Sequence, residues 1–368
     1  MKYRVMHVLG AVDGSVTGVQ SFIKNHIQVD DEEFEYMVAE SNGDAHFPFN
    51  QYLDEIGIER IVFPELKISK VLDYFRKCRE FYKNQTIDIL HVDNPITAFI
   101  HNYYAKKNGV PVRIYHNHSS QFSDTWIKSL RNRLLVLLAL KNATHRISCG
   151  QLAGEKIFGK QSFQIIPNAI QIEKFKFSAI YREEIRKEFQ IPENQKVVGM
   201  IGILNSFKNQ KFLIEIAKEL PEVTFLFVGE GPDYLLLEEM SRGMNNIIFT
   251  GNRNDVCKLY SAFDVFAFPS LYEGFPMVLV EAQCSGLNII MNETIDSTTQ
   301  IVNSLCTSIP LDKNKWKTYI ENSPVINGER SLNHKLMKFN IKENIQLIKK
   351  IYKKGLQKNI KIKVENYD

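Results

Sequence analysis

Two glutamates on either side of a turn have the types and spacing to bind a polar ligand. They are Glu273 and Glu281, eight residues apart. The apolar run 264–270 before them predicts a buried strand, and helical periodicity begins after the turn. Pro276 is expected at the first position of that helix, because its missing N–H would have no partner there in any case.

The helix after this turn is expected to offer its amino end to an anion. The N–H groups of Met277 and Val278 would have no acceptor inside the helix, and with the helix dipole they favour a phosphate. Carboxylates accept hydrogen bonds from hydroxyl groups. A diphosphate at the helix end, with sugar hydroxyls on Glu273 and ribose hydroxyls on Glu281, indicates a sugar nucleotide.

The order of residues in this stretch resembles a known family. Glu273-Gly274-Phe275-Pro276, followed by Glu281, is similar to the signature of retaining glycosyltransferases of the GT-B fold, in particular glycosyltransferase family 4, also called group 1. The resemblance implies that the whole segment contacts the donor and that Glu273 is catalytic. An ordinary strand, turn and helix with surface glutamates is the alternative for this stretch alone.

The composition of the chain fits two soluble domains. A length of 368 residues suits two domains, and 44% hydrophobic with 24% charged residues is typical of soluble globular proteins. The net charge of +4 argues against nucleic acid as the main partner. No apolar run has transmembrane length, and the amino end has no signal-peptide pattern. Five cysteines without metal-type spacing indicate reduced thiols in a cytosol: Cys78, Cys149, Cys257, Cys284 and Cys306.

Strands and helices alternate along most of the chain. This pattern predicts an α/β fold with two doubly wound, Rossmann-like domains and parallel sheets. We expect an N-terminal acceptor-side domain over 1–170, a C-terminal nucleotide-sugar donor domain over 171–338, and a segment 339–368 whose helix crosses back to the first domain. The GT-B resemblance implies that the two domains face a central cleft.

Two places in the first half are candidates for ligand contact. A glycine loop that ends at Gly18 follows the first strand, and the resembling family uses this loop to face the donor diphosphate. His116 and His118 follow a later strand, where the family has a histidine beside the transferred sugar; His118 is the first choice and His116 the second. The alternatives are a simple turn and a hydrogen-bonded loop pair. No cysteine or carboxylate is close to the histidines in sequence, so no metal site is expected.

The second half carries one candidate phosphate-binding cation and one departure from the family. Lys208 lies between a strand and a helix, where it could neutralise a phosphate; a surface lysine is the alternative. The family usually has an arginine five residues earlier, and this chain has Ile203. The departure implies weaker stabilisation of the leaving diphosphate unless another cation substitutes. Arg253 is the candidate substitute, and Asp255 is expected to cap the next helix.

Two basic segments could contact a membrane. A helix predicted from Trp126 carries basic residues among leucines, and it either packs with its charges in water or contacts an anionic membrane or a lipid-diphosphate acceptor. The chain end is either solvated or attracted to anionic headgroups through its lysines, which are Lys349, Lys350, Lys353, Lys354, Lys358, Lys361 and Lys363.

The sequence therefore predicts a retaining hexosyltransferase-type enzyme. It would move a sugar from a nucleoside diphosphate donor, with a UDP-sugar expected, to a hydroxyl of a growing free or lipid-linked glycan. The resemblance implies exopolysaccharide or capsule biosynthesis in the cytoplasm, at the inner face of the membrane, without a metal or other cofactor. Two alternatives stay open: a sugar-nucleotide-binding paralogue that lost catalysis, as Ile203 suggests, and a GT-B-like epimerase or hydrolase. The missing dinucleotide glycine spacing disfavours a nicotinamide dehydrogenase.

Overall fold

The structure is a computed structural model in which the chain forms two compact units. The first comprises residues 1–169 with 341–368, and the second comprises 170–340. The glycine loop before Gly18 and Gly274 itself lie outside the described residues, so their predicted contacts stay predictions. The described residues are 2–11, 18–27, 29, 31–41, 43–118, 126–273, 275–326 and 328–365.

Each unit contains one sheet in which all paired strands are parallel. In the described part of the first unit the order is β3-β2-β1-β4-β5-β6-β7, with β1 (Tyr3–Ala11), β2 (Phe34–Ser41), β3 (Glu59–Phe63), β4 (Ile89–Val92), β5 (Val112–Asn117), β6 (His145–Ser148) and β7 (Gln164–Ile165). In the second unit it is β10-β9-β8-β11-β12-β13, with β8 (Val197–Ile201), β9 (Thr224–Val228), β10 (Ile247–Phe249), β11 (Val265–Phe268), β12 (Asn288–Asn292) and β13 (Cys306–Ile309).

Helices connect the strands as right-handed α/β units require. They are α1 (Gly18–His26), α2 (Pro48–Glu55), α3 (Val71–Asn84), α4 (Pro95–Lys107), α5 (Trp126–Asn142), α6 (Gln151–Phe158), α7 (Ala179–Glu188), α8 (Gln210–Ala217), α9 (Tyr234–Met240), α10 (Val256–Ala262), α11 (Met277–Cys284), α12 (Lys313–Asn322) and α13 (Ile341–Glu365). Among the residues described, no helix is both long and apolar enough to cross a bilayer.

Helices cover both faces of each sheet, which explains why the strands read as continuous apolar runs. In the first unit one face packs against α3 to α6 and the other against α1, α2 and the last helix, α13. Ile348, Ile351, Tyr352 and Leu356 of α13 are buried in that second core. The carboxyl-terminal segment is therefore part of the core of the first unit.

The strand order places a ligand-binding position in each sheet. The strands of the first sheet are added in one direction from β1 to β3 and in the other from β4 onward, so the strand order reverses between β1 and β4; it reverses in the same way between β8 and β11. Open parallel sheets bind ligands at the carboxyl ends of the strands at such a reversal. The loops after β4 and β5 carry Asp93 and His118, and those after β8 and β11 carry Lys208 and Glu273.

Glycines let the loops after β8 and β9 pack backbone against backbone. A Cβ at Gly229 would lie 2.3 Å from the carbonyl oxygen of Gly202, and one at Gly231 would lie 2.2 Å from that of Leu204. Gly229 also has a φ of +127°, which other residues rarely adopt. Only glycine fits at these positions, and the loop that carries Lys208 is held by them.

Candidate active site

The loop after β8 and the turn after β11 bring two predicted donor-binding side chains together. Lys208 Nζ lies 2.5 Å from Glu273 Oε1, and the two side chains are only 19% and 15% exposed. The N–H of Leu271 donates to the carbonyl of Phe207 at 2.8 Å, which ties the turn to the loop. The ammonium also lies 5.3 Å from the ring centre of Phe268. A cation for phosphate and a carboxylate for hydroxyl groups are therefore side by side.

The amino end of α11 begins one residue later than the sequence predicted. Pro276 has an extended ψ of 107° and precedes the helix, so its prediction as the first helical residue was wrong by one position. The N–H of Leu279 donates to the carbonyl of Pro276 at 3.1 Å. The N–H groups of Met277 and Val278 are the first two of the helix, and the helix supplies no acceptor for them. The predicted anion-binding groups thus remain at the helix end.

Glu281 lies one turn further along α11 and is shielded from water. Its Oε2 accepts a hydrogen bond of 2.6 Å from the Tyr260 hydroxyl on α10. Burial raises the pKa of Glu281 to about 7, although the hydrogen bond from Tyr260 acts in the opposite direction. Near neutral pH the carboxyl group is therefore about half protonated, and donors such as ribose hydroxyls would favour the charged form.

Two side chains of the signature segment belong to the core. The ring of Phe275 stacks on that of Phe339 with centres 5.7 Å apart, and Met277 packs in the same apolar cluster. These residues hold the turn and the helix end in place. Any contact of this part with a donor would therefore come from the backbone.

The candidate replacement for the missing arginine is already bound to carboxylates. Arg253 donates to both oxygens of Asp255 at 2.8 and 2.9 Å and also pairs with Glu188. Hydrogen bonds that Arg253 donates to Glu188 first, and then to Asp255, raise its pKa. Asp255 is at the N-cap position of α10, as predicted, but its carboxylate makes no capping hydrogen bond to the helix. Ile203 presents a side chain that is 55% exposed and offers no charge.

In the first unit, a buried carboxylate holds the predicted histidine. Asp93 Oδ1 lies 2.9 Å from His118 Nε2, and Asp93 Oδ2 lies 3.1 Å from His7 Nδ1. Burial alone would raise the pKa of Asp93, but its histidine neighbours outweigh burial and hold the pKa well below its usual range. The carboxylate is therefore charged, and the N–H groups of His7 and His118 stabilise it.

Two more histidines complete this buried cluster. His91 Nδ1 lies 2.7 Å from the Tyr352 hydroxyl of α13, and His91 Nε2 lies 3.1 Å from His116 Nδ1. Burial lowers the pKa of His91 to about 3 and that of His116 well below its ordinary value, so both are neutral at pH 7. His116 Nε2 is buried and has no hydrogen-bond partner among the residues that the structure describes. His116, the second-choice sugar contact, is thus enclosed, and His118 is the histidine nearer the surface.

The cluster also has the composition of a metal site. Two sets in the described residues place three ligand atoms within 4.8 Å of one another: His7, His91 and Asp93, and Asp93, His116 and His118. The sequence argument against a metal considered only nearby residues and missed Asp93, which the fold brings in. The pairs His118–Asp93 and His7–Asp93 have hydrogen-bond lengths, so protons account for them without an ion.

Comparison with known proteins shows which family the chain resembles. Residues 181–336, within the second unit, match the model of the glycosyl transferases group 1. The Bacillus subtilis (strain 168) protein named glycosyltransferase EpsF is 29% identical over 328 residues, which span 84% of each chain. The chain is therefore similar to the group 1 glycosyl transferases, through the family match over 181–336 and through the likeness to EpsF along most of its length.

A second relative and a solved structure are also similar to most of this chain. The Escherichia coli UDP-Gal:α-D-GlcNAc-diphosphoundecaprenol α-1,3-galactosyltransferase is 26% identical over 339 residues, 83% of this chain and 86% of that one. The crystal structure of HepE from Anabaena in complex with UDP matches 96% of this chain and 100% of its own, with a TM-score of 0.77 and 18% identity. This likeness confirms the GT-B fold.

Sequence reasoning missed two residues of this glycosyltransferase's candidate site. Asp93 directly precedes the Asn94-Pro95 start of α4 and looks like a turn residue. The predicted strand order could have revealed Asp93. Strand β4 lies between β1 and β5, so the carboxyl end of β4 adjoins His7 and His118. Tyr260 gave no sequence signal, since its partner Glu281 is on another helix.

Proposed function

We propose that this glycosyltransferase moves a sugar from a UDP-sugar to a hydroxyl of a growing, lipid-linked glycan, with retention of configuration. The observation that carries the proposal is that Lys208, Glu273 and the amino end of α11 meet at the carboxyl edge of the second sheet. The E. coli relative acts from UDP-Gal on a diphosphoundecaprenol-linked sugar and makes an α linkage, and HepE binds UDP.

The donor groups would act mainly through charge. Lys208 and the N–H groups of Met277 and Val278 would bind the diphosphate and stabilise the charge that develops as the nucleoside diphosphate leaves. Glu273 would accept hydrogen bonds from the donor sugar, and Glu281 from the ribose. In other glycosyltransferases a bound metal supplies positive potential at the diphosphate. Here Lys208 and the helix end would supply it, so we propose that donor binding needs no metal.

The acceptor side would contribute orientation. His118 would lie at the transferred sugar, and the leaving phosphate would take the proton of the attacking hydroxyl on the same face. Correct placement of the two reacting atoms accounts for much of the rate in such a reaction. We propose that the product belongs to an exopolysaccharide or capsule and that no nucleic acid is involved.

Thermal stability against a panel of nucleotides tests the donor site. A ligand at a hundred times its dissociation constant adds about 2.7 kcal/mol to the free energy of unfolding. We expect a shift with UDP and UDP-sugars in the wild type, and none in Glu281→Ala. Tyr234→Phe, which removes an exposed hydroxyl at the first residue of α9, is the control. No shift with any nucleotide would refute the donor-site assignment.

Turnover distinguishes the transferase from the alternatives. UDP release from UDP-galactose and UDP-glucose is measured with and without an acceptor, N-acetylglucosamine diphosphate linked to an undecyl chain. A transferase releases UDP faster when the acceptor is present, and its product keeps the α configuration by NMR. Equal release without acceptor would indicate a hydrolase or epimerase, and a stability shift without turnover would indicate a paralogue that lost catalysis.

Helix α5 supports peripheral contact with an anionic membrane. Four leucines at helical spacing along it are each more than half exposed, and basic residues lie between and after them: Leu130, Leu134, Leu137 and Leu138, with Arg131, Arg133 and Lys141. Apolar side chains and positive charge on one helix favour binding in the headgroup region. We propose that α5 brings the enzyme to the cytoplasmic membrane surface, where a lipid-linked acceptor lies.

The basic end contributes less to this surface than its composition suggests. Lys349 Nζ lies 2.7 Å from Asp31 Oδ2, and Lys353 Nζ lies 2.6 Å from Glu33 Oε2, both within the first unit. These two charges are therefore partly neutralised. The side chains of Lys361 and Lys363 lie outside the described residues.

Sedimentation with vesicles tests the membrane proposal. We expect binding to vesicles of phosphatidylglycerol but little to phosphatidylcholine, and loss of binding when Leu134 and Leu138 are both changed to Ser. Changing Leu235 and Leu236, which are exposed on α9 of the second unit, is the matched control and should leave binding intact. Equal binding of both double variants would refute the role of α5.

A further inference from the structure

We infer that Asp93 is the positioning residue for His118, an inference that rests on the proposed place of His118 at the transferred sugar. Asp93 follows β4, and His118 follows the neighbouring strand β5. The 2.9 Å contact between Asp93 Oδ1 and His118 Nε2 therefore joins two loop ends at the reversal of the first sheet.

The contact fixes which nitrogen of His118 carries a proton. An ionised carboxylate only accepts hydrogen bonds, so Nε2 of His118 must be the donor. In a neutral imidazole this leaves the lone pair on Nδ1, and the hydrogen bond sets the ring plane as well. Asp93 thus decides both the tautomer and the direction of the ring.

Asp93 acts through the histidine and does not reach the substrate. Its side chain is fully buried, and its second oxygen accepts from His7 Nδ1 at 3.1 Å. His7 pairs in register with His91 on the next strand, so rigid parts of the sheet hold the carboxylate. Because both oxygens are occupied and enclosed, Asp93 is unsuited to attack a sugar itself.

His118 is the member of the cluster that opens to the surface. Its side chain is 8% exposed, whereas those of His7, His91 and His116 are at most 1% exposed. The ring lies 4.9 Å from the ring of Phe22, measured between centres. With Asp93 and Phe22 on two sides, the ring has one orientation toward a ligand.

Asn168 marks the side from which a ligand would meet the ring. Its Oδ1 atom lies 3.4 Å from His118 Nδ1, the nitrogen that Asp93 leaves without a proton. The amide can turn its NH₂ group to this lone pair, and a sugar hydroxyl can take the same place. The geometry therefore points to Nδ1 as the atom that accepts a hydrogen bond from the transferred sugar.

Asp93→Asn and a matched variant test the inference. Asparagine keeps the shape but can present NH₂ to His118, so the ring should turn or change tautomer. We expect kcat with UDP-galactose and the undecyl-linked acceptor to fall about 100-fold, as misplacement by about 1 Å can do. The stability shift with UDP should persist, because Lys208 and Glu281 belong to the other unit.

His101→Gln is the control for a structural effect. His101 is also fully buried and hydrogen-bonded, to the hydroxyls of Tyr74 and Tyr82, but it lies in the core on the opposite face of the sheet. A comparable loss of thermal stability with an unchanged kcat is expected for this variant. A similar fall of kcat in both variants would show that Asp93 is merely structural.

Nitrogen NMR of histidine-labelled wild type tests the tautomer without any mutation. The signals of His118 are assigned by their loss in His118→Gln, and we expect a proton on Nε2 and none on Nδ1. The inference would be overturned by a proton on Nδ1 alone, or by a wild-type kcat in Asp93→Asn. It would also be overturned if the wild type bound one equivalent of zinc and Asp93→Asn bound none. If the wild type binds UDP but transfers nothing, the proposed function fails, and the NMR result still decides the role of Asp93.

Discussion

Glu281 links burial to donor binding at the scale of a single residue. Burial raises its pKa to about 7, with the Tyr260 hydroxyl on α10 as its hydrogen-bond donor. Hydroxyl groups of a ribose would bind the charged form, so binding should release a proton. Donor binding should therefore strengthen as pH rises, whereas the stability of the free protein should weaken. Between pH 4.5 and 7 the folded state holds the proton of Glu281 more tightly than the unfolded state, so the free energy of unfolding falls as pH rises through this window.

The affinity for UDP-glucose is therefore expected to depend on pH. A carboxyl group with a pKa near 7 that must be charged to bind gives about a tenfold gain in affinity between pH 6 and pH 8. UDP-glucose is the ligand of choice because its diphosphate has no ionisation near neutrality. Calorimetry across this range measures the slope, and Glu281→Gln should remove it. A flat profile in the wild type would contradict the assignment of Glu281.

Ile203 offers a test by gain of function. Its side chain is 55% exposed on the loop after β8 that also carries Lys208, and the resembling family has an arginine there. Ile203→Arg should strengthen UDP binding by about 1 kcal/mol, or fivefold, and more at low salt. Ile203→Met is the control for size without charge. If arginine and methionine bind UDP equally well, this loop does not face the diphosphate.

At the scale of elements, Asp264 connects β11 to helix α7 in the second unit. Its fully buried carboxylate accepts from Arg182 Nη2 at 2.9 Å and Arg186 Nη2 at 2.8 Å. It also accepts the N–H of Val197 at 2.8 Å, at the start of β8. Two buried guanidinium groups share this carboxylate, so the orientation of α7 against the sheet depends on it.

Asp264→Ala should therefore destabilise the second unit strongly. Removing the carboxylate leaves Arg182 and Arg186 buried without their counter-charge, which costs about 3–5 kcal/mol. Asp255→Ala removes a partly exposed carboxylate of the same unit and should cost less than about 1 kcal/mol. Urea unfolding of the two variants gives the comparison, and equal losses would refute the role of the buried cluster.

At the scale of the whole molecule, the last helix determines whether the first unit folds. Ile348, Ile351, Tyr352 and Leu356 fill one core of that unit although they follow the second unit in the chain. Full burial of such side chains is worth about 1.5–3 kcal/mol each, and together they approach the free energy of unfolding of an ordinary domain.

A chain that ends at residue 340 should consequently lose the first unit and keep the second. Limited proteolysis with mass spectrometry should show digestion across 1–169 while 170–340 resists. A chain that ends at residue 358 keeps the four buried side chains and serves as the control. If the shorter chain resists digestion over both units, α13 is not needed for the core.

The sequence predicted most elements because their signals are local. The buried strand predicted within the apolar run 264–270 is β11, Val265–Phe268, since buried parallel strands are short apolar runs between polar turns. Strand β13, Cys306–Ile309, was not predicted because two of its four residues are hydroxyl side chains and it is only half-buried. Helix α11 begins one residue after its predicted start, because the extended ψ of Pro276 depends on tertiary packing and not on the local sequence.

The sequence by itself determined the two-domain α/β plan, the family resemblance and the placement of Lys208 and Glu273 at strand ends. Apolar periodicity and turn residues act over a few positions, so they can be read without the fold. Only the tertiary structure decided that Lys208 pairs with Glu273, that burial raises the pKa of Glu281, and that Asp93 holds His118. Each of these depends on strand order and on the loss of water between segments that are far apart in the chain.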